Sequence, residues 1–324
     1  SEANLKRPGL PSAAVQPLTP PASLLSPPGS VSRPIAQDPY PSKGELLGAL
    51  PAELTQYHPI KAWGSLALSA GLSAVAYGLG TQIPLQLWAA PLWLLYGVAT
   101  GTVAMGLWVE ASVGFVLHSL LLVPYHCWAR SHAVHHAHCN HLEEGETHVP
   151  PRAESLSGRA TEALKQRLGR RLFGAFSLFN HLVIGWPLYL FLGATGGEDY
   201  GRPTSHFWNG KRFNRGRRAL FPRSFRSLML GSDLGLVVVL ALLVVLALQF
   251  GVARVLCVYG LPYVVVNAWL VIYTWLQHTD VAIPHFSTQE WTWAKGALQT
   301  VDRPYGPLLN LLHHGIGSTH VCHH

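Results

Sequence analysis

Charge is what this sequence holds least of: 12% of its 324 residues are Asp, Glu, Lys or Arg, while 49% are hydrophobic. A soluble domain carries about twice that charged share, so composition favours a membrane protein over a water-soluble globule. Cysteine is also sparse. Cys127, Cys139, Cys257 and Cys322 form no C-x-x-C pair, so they read as small apolar fillers in a reducing compartment and not as a disulfide framework. No nucleic-acid-binding module is recognisable either, and the net charge of +7 reads as membrane orientation and contact with anionic headgroups, not as nucleic-acid binding.

Residues 1–50 lack any sustained apolar period. They are rich in Pro, Ser, Ala and Leu, cannot bury enough surface to offset their ordering entropy, and are expected to be disordered. They contain no h-region of a secretory signal, and Arg7 and Arg33 are thin support for an organelle transit peptide. Ser42 to Leu54 predicts a short amphipathic entry helix broken at Pro51. Residues 51–324 form the main domain.

Uncharged runs dominate that domain. Ala62 to Val109 holds no charged residue and is interrupted by Gly78, Gly80 and Pro84, which predicts two spans, about 62–80 and 85–109, joined by a tight turn. A second hairpin is predicted from spans at about 234–253 and 255–277, turning near Gly251 to Arg254. Ala111 to Ala129 and Leu172 to Gly197 are shorter or broken by Pro, and are expected to lie in the interface or to dip into it. The fold expected is an all-α membrane protein: two transmembrane helical hairpins, interfacial helices and a His-rich cap. Lys and Arg cluster outside the two hairpin turns, Arg254 excepted, so the cap is assigned to the cytosolic or stromal side.

Histidine is abundant and patterned. His132, His135 and His136 spell H-x-x-H-H, and His320, His323 and His324 repeat it at the last five residues. On a helix these positions share one face, so each triplet is expected to aim three imidazoles at one point. A lone histidine near an apolar run is usually a satisfied core residue, but two identical triplets point to a metal site, with iron, zinc, copper and nickel all compatible. Six neutral nitrogens exceed what one tetrahedral zinc uses, so two metals follow, and an all-nitrogen pair with open positions suits oxygen activation by iron on a lipid-like substrate. His278, in TWLQHTD, is as well explained as an interfacial histidine as by ligation. Glu143, Glu144 and Glu146 read first as a solvated acidic loop and second as outer partners of imidazole N–H groups. His138, His141, His148, His313 and His314 are expected outside the ligand set.

Several ordered motifs carry a resemblance. HSLLLVPYHCWARSHAVHHAHCNHLEEGETHVP, TWLQHTDVAIPHF and the WTWAKGALQTVDRPYGPLLNLLHHGIGSTHVCHH ending, with GWPLYL, SDLG and GELLGALPAEL, resemble the membrane acyl-lipid fatty-acid desaturases of the Δ12/ω-3 group over about residues 38–324. The resemblance implies a non-haem diiron enzyme that uses dioxygen and two electrons to insert a cis double bond at the Δ12 or ω-3 position of an acyl-lipid or acyl-CoA substrate. It also implies cytochrome b5 or ferredoxin as donor and residence in the endoplasmic reticulum, or alternatively the plastid. Position by position, His132, His135 and His136 match the family's second histidine box, His320, His323 and His324 its third, and His278 the extra histidine preceding the third. Cys322 stands where the third box usually has a small residue, often alanine.

One box is missing. The family carries H-x-x-G-H at the cytosolic end of the second span, where this sequence reads GLWVEASVGFVLHS; no H-x-x-x-H pair occurs between Ala62 and Ala111. Relatives are also expected to continue beyond the position of His324. Loss of a ligand pair is expected to weaken metal binding and impair catalysis, and His118 and His126, with Pro124 between them, are poor substitutes. The alternatives are a related fatty-acyl hydroxylase or acetylenase, or a non-catalytic membrane partner of an intact desaturase. A metal transporter is disfavoured by the lack of ionisable residues mid-span.

Overall fold

The computed structural model describes residues 40–324 apart from Tyr57, Glu110–Ser112, Gly201–Arg202, Lys211 and Asn214–Gly216. The expected disorder of residues 1–50 therefore falls largely outside the described residues. So does the stretch just past Val109 where the first histidine box is missing. The described chain is helical, with no strand among the described residues and one isolated bridge between His141 and Phe286.

The entry helix α1 (Lys43–Ala49) begins at a capping box: the Ser42 side chain accepts from the Glu45 amide and the Glu45 carboxylate accepts from the Ser42 amide. Pro51 ends that segment as expected.

Among the described residues five helical runs are long and apolar enough to cross a membrane: Pro59–Gly80, Leu87–Trp108, Leu156–Leu192, Arg223–Phe250 and Val252–His278. The first two contain α2 (Pro59–Gly80) and α3 (Ala90–Ala104) and form the first predicted hairpin; α8 (Arg226–Phe250) and α9 (Val252–His278) form the second. The second turn shrinks to Gly251 alone. Its φ of 90° lies where an L side chain is strained, so one glycine suffices to end α8 and reverse the chain. Both turns lie together, since Arg254 donates to the carbonyl of Thr81 at 3.4 Å.

α3 packs more extensively on α9 than any other pair of elements in the structure. Without a hydrophobic driving force between helices in lipid, close backbone approach must supply the attraction, and small residues permit it. Gly97 and Gly101, one turn apart on α3, do this. A Cβ at Gly97 would fall 2.9 Å from the Leu261 Cβ, and one at Gly101 would fall 2.5 Å from the Val265 Cβ and 2.6 Å from the Pro262 carbonyl oxygen.

Beyond α3 come two short helices, α4 (Gly114–Leu120) and α5 (Tyr125–Ala137), separated at Leu121–Pro124. At seven residues α4 is far too short to cross, in line with an interfacial placement. The sequence reading put residues 172–197 in the same class. The structure extends them backward into one long run, α6 (Leu156–Phe179), a π-helical turn at Asn180–Gly185, and α7 (Trp186–Leu192), with a break at Gly169 where φ is 73°. The part of this run around His181 and Tyr189 lies beside the cap. His181 stacks on Trp275, one turn from the end of α9, with ring centroids 4.2 Å apart, and Tyr189 is hydrogen-bonded to Ser131 of α5 and to Glu146.

The contact between the two histidine triplets bears on the same run. Three of the five apolar runs lie between His136 and His320 in the chain. Segments that meet on one side of a membrane are separated by an even number of crossings, and Leu156–Leu192 is the least hydropathic of the three.

Candidate metal centre

All seven histidines singled out in the sequence converge. They do not converge as two triplets, however. Nε2 of His278 lies 3.2 Å from Nε2 of His135, 2.9 Å from that of His320 and 3.3 Å from that of His324. Separately, Nε2 of His136 lies 3.0 Å from that of His132 and 3.1 Å from that of His323. Each H-x-x-H-H motif is therefore divided. His135 on α5, and His320 and His324 on and just after α10 (His320–His323), join His278 in a group of four; His132, His136 and His323 make a group of three. The expectation that each triplet meets at one point is corrected. The i, i+3, i+4 pattern spans an arc of the helix wide enough for adjacent residues to serve different neighbours.

The spacing tests what the groups can hold. A neutral imidazole has one N–H and one lone pair, so the His278 Nε2 atom forms at most one N–H···N hydrogen bond, yet three nitrogens crowd it. Metal–imidazole bonds of about 2.0–2.1 Å at right angles put neighbouring nitrogens about 3 Å apart, the separation seen here. A metal in each group satisfies every nitrogen at once, and the seven residues fit it.

Burial keeps these donors ready. It holds His132 and His135 well below the ordinary imidazole range, with neighbouring imidazoles adding to the effect, and pushes His136 down to about 4 and His320 to about 3; His323 and His324 are lowered for the same first reason. All are neutral at physiological pH, as a ligand must be.

Rings and outer partners fix the ligands. Trp128 stacks on His132 at 4.8 Å, and His118 stacks on Trp128, also at 4.8 Å. His118 bonds the Gly114 carbonyl through Nδ1 at 2.7 Å, and its Nε2 is buried without a hydrogen-bond partner. His126 stacks on Phe115. Neither belongs to the two groups of converging nitrogens. His148 lies parallel to His278 with centroids 5.2 Å apart, a packing contact and not a converging nitrogen.

Cys139 was read as a filler. Its sulfur instead lies 3.7 Å from Nδ1 of His278 and within 4.8 Å of a ring nitrogen of His135 and of His324, at the edge of the group of four. Burial pushes its thiol up to about 12, keeping it protonated. No spacing pattern among the cysteines and histidines singles it out.

The acidic loop is split. Glu143 pairs with Arg152 at 3.1 Å, and Glu144 with Arg218 at 2.6 Å and His138 at 3.1 Å, which suits a solvated loop. Glu146 is only 4% exposed and its Oε1 lies 2.8 Å from the Tyr189 hydroxyl, which overturns that reading for this residue. His141 accepts from the Glu143 and Glu144 amides, His313 bonds Tyr273 and the Thr102 carbonyl, and His314 bonds Ser69, all outside the two groups as expected.

Beside the histidines opens a cavity of about 590 Å³. Trp108, Trp128, Trp186, Leu270, Tyr273 and Ile316 supply apolar wall, and His132, His135, His320 and His323 close one part of it. Its size is within the usual range for small-molecule pockets, and its walls suit an apolar chain with few polar contacts.

Comparison with known proteins adds the remaining observations. A family model described as fatty acid desaturase matches residues 100–324. A Delta(12) fatty acid desaturase of Mortierella isabellina is 32% identical over 312 residues, covering 86% of this chain and 76% of that protein. An omega-6 fatty acid desaturase of Glycine max, named as an endoplasmic reticulum isozyme, is 34% identical over 300 residues, 86% of this chain and 75% of that protein. A Delta(12) acyl-lipid conjugase (11E,13E-forming) of Impatiens balsamina is 36% identical over 248 residues, 72% of this chain and 61% of that protein.

Proposed function

The chain belongs to the fatty acid desaturase family, and from that premise we propose that it inserts a cis double bond at the Δ12 or ω-3 position of an acyl chain at two histidine-held irons. It is an integral membrane oxidoreductase with a fatty-acyl substrate. The observation that carries the finer reading is the convergence of seven imidazoles into groups of four and three beside an apolar cavity.

His135, His278, His320 and His324 hold one iron and His132, His136 and His323 the other. When bound, the pair supplies dioxygen activation with two electrons from a donor. The chain's own residues do the rest. Trp108, Trp128 and Trp186 line the path of the acyl chain and keep water from the reacting carbons, and the histidines at the cavity wall fix which stretch of chain lies against the metals. The electrons come from cytochrome b5 or ferredoxin. Residence in the endoplasmic reticulum, with the cap facing the cytosol, agrees with the isozyme name of the Glycine max relative and with the placement of Lys and Arg.

The missing first box bears on the group of three. Trp108, at the end of the Leu87–Trp108 run just before the position where the family carries that box, packs edge-on against Trp128, and Trp128 stacks on His132. We assign the absent pair to this group, which holds fewer nitrogens and retains its iron weakly, so the chain as written is catalytically impaired.

A second reading, a different oxidation on the same scaffold, is favoured by the conjugase relative, which is as similar as the desaturases. Expression in yeast lacking polyunsaturated fatty acids, followed by analysis of methyl esters, tests both. Little dienoic product is expected. Inserting an H-x-x-G-H box after Val109 is expected to raise the yield at least about tenfold, the scale on which even outer-shell metal partners act. Abundant dienoic product from the unaltered chain would reject the impairment, and conjugated or hydroxylated product would favour the second reading.

A further inference from the structure

Glu146 lines the acyl cavity with one carboxyl oxygen, Oε2, fully buried and without a hydrogen-bond partner. The other, Oε1, is 2.8 Å from the Tyr189 hydroxyl. From there a line of polar contacts runs inward. Tyr189 Oη is 2.8 Å from Ser131 Oγ, Ser131 Oγ is 3.2 Å from His206 Nε2, and His206 Nδ1 is 3.2 Å from the Leu190 carbonyl oxygen. Ser131 and His206 have no exposed surface.

The hydrogens of this line can be placed by elimination. The Leu190 carbonyl only accepts, so His206 Nδ1 carries a hydrogen. The Trp128 carbonyl, 3.1 Å from Ser131 Oγ, competes for the single Ser131 hydrogen. With that hydrogen on His206 Nε2 and His206 neutral, Ser131 accepts from Tyr189, and Tyr189 accepts from a protonated Glu146 Oε1. With Glu146 ionised the direction reverses: Tyr189 donates to the carboxylate, Ser131 donates to Tyr189, and His206 must carry a second hydrogen to donate to Ser131. The two arrangements differ by one proton moved from carboxyl to imidazole across three hydrogen bonds. Burial favours the first, since it pushes Glu146 up to about 8 and His206 down to about 3. Tyr189 and Tyr200 feel the charge of Glu146 directly, and His132, His135, His148, His181, Asp280 and His285 are among the other ionisable groups that line the same cavity.

We infer that Glu146, Tyr189, Ser131 and His206 form a hydrogen-bonded relay that holds a proton on Glu146 at the cavity wall and releases it to oxygen being reduced there. Where the proton goes rests on the desaturase reading; that the relay holds it does not. Desaturation breaks two C–H bonds and yields two hydrogens with their electrons. Dioxygen takes these together with two donor electrons and two further protons, and leaves as two molecules of water. Glu146 provides such a proton once its O–H swings from Tyr189 toward the cavity, by heterolysis of that bond, the electron pair staying on the carboxylate. Tyr189 then turns its hydroxyl onto Oε1, and the carboxylate regains a proton from solvent water between turnovers.

Infrared spectroscopy of the purified full chain without metal tests the relay directly. A carboxylic-acid carbonyl band is expected at neutral pH, to bleach as the pH passes through about 8, and to be absent from Glu146→Gln. In Ser131→Ala, Tyr189 loses its acceptor and donates only to Glu146, so the band is expected to bleach at a lower pH. A carboxyl with a merely structural role would not respond to that cut. Tyr189→Phe is a second cut, expected to shift the band to that of an acid free of hydrogen bonds. No band at neutral pH, or bleaching unchanged by both cuts, overturns the relay. Iron content measured on the loaded chain separates the two ideas: a chain that binds iron but lacks the band rejects the relay alone, and one that shows the band but binds no iron rejects the metal reading alone.

Discussion

The two histidine groups draw on the same pair of short helices, yet they differ in depth and in what stands behind them. In the group of four, His135, His278 and His320 are buried, and the central His278 ring is held at one edge by Cys139 and on one face by His148. In the group of three, His132 and His136 are half-buried and His323 is exposed, with Trp128 as the main support. The fourth member of the deeper group comes from the end of a long apolar helix; the shallower one has only the two cap helices. A centre built solely from short, partly solvated segments pays more ordering entropy for each ligand and excludes water less well.

The largest effect that would sharpen this contrast is on iron content. His278→Ala removes the nitrogen at which three others meet and is expected to cost most of the bound iron after anaerobic ferrous loading, measured as metal per chain. His323→Ala is expected to cost the smaller part. Equal losses would erase the distinction.

Acid separates the supports that lie behind α5. Burial pushes His118, stacked behind Trp128, down to about 4, and His206, behind Ser131, down to about 3, from 6.5. Both are neutral in the fold while the unfolded chain takes up protons below about 6.5, so stability falls as the pH drops from there, by up to about 1.4 kcal/mol per pH unit for each group. His118 stops contributing below about 4 and His206 below about 3. Glu146, raised to about 8, works in the opposite sense between its ordinary value of 4.5 and 8, so the acid limb is steepest below 4.5. Melting in detergent across this range is expected to show that limb, and His118→Gln is expected to flatten it above pH 4 while leaving the lower part. An unchanged limb would remove His118 from the supports.

The smallest effect belongs to Cys139→Ala. It deletes one weak partner of His278, and iron affinity is expected to fall about tenfold, the low end for outer-shell partners. A loss matching that of His278→Ala would make the sulfur itself a ligand.

Much of this was legible in the residue order. The hairpins follow from uncharged length, and the turns from glycine and proline. The histidine motifs announce a metal site because their repetition is improbable otherwise. What periodicity does not carry is the assignment of each nitrogen. His135 and His136 are neighbours in sequence, and only the position of His278, brought in by α9, divides them between groups. Glu146 looked like its neighbours Glu143 and Glu144 because the three share one acidic stretch. Its burial depends on Tyr189, 43 residues away in the chain. Cys139 was hidden for the same reason, since its partner is 139 residues distant. The long run Leu156–Leu192 is only half legible as an uncharged stretch, because its first part is charged and amphipathic, with Leu156, Ala160, Leu164, Leu168 and Leu172 four residues apart.

Adjacent residues on a single helical turn feed different centres, and so do His323 and His324 at the other motif. The gap between the two nitrogen groups is thereby written into local covalent geometry and not into the fit of one membrane helix on another. A thicker or thinner bilayer can tilt α3 against α9 without stretching that gap, so lipid composition is free to reshape the cavity while the two groups keep their spacing.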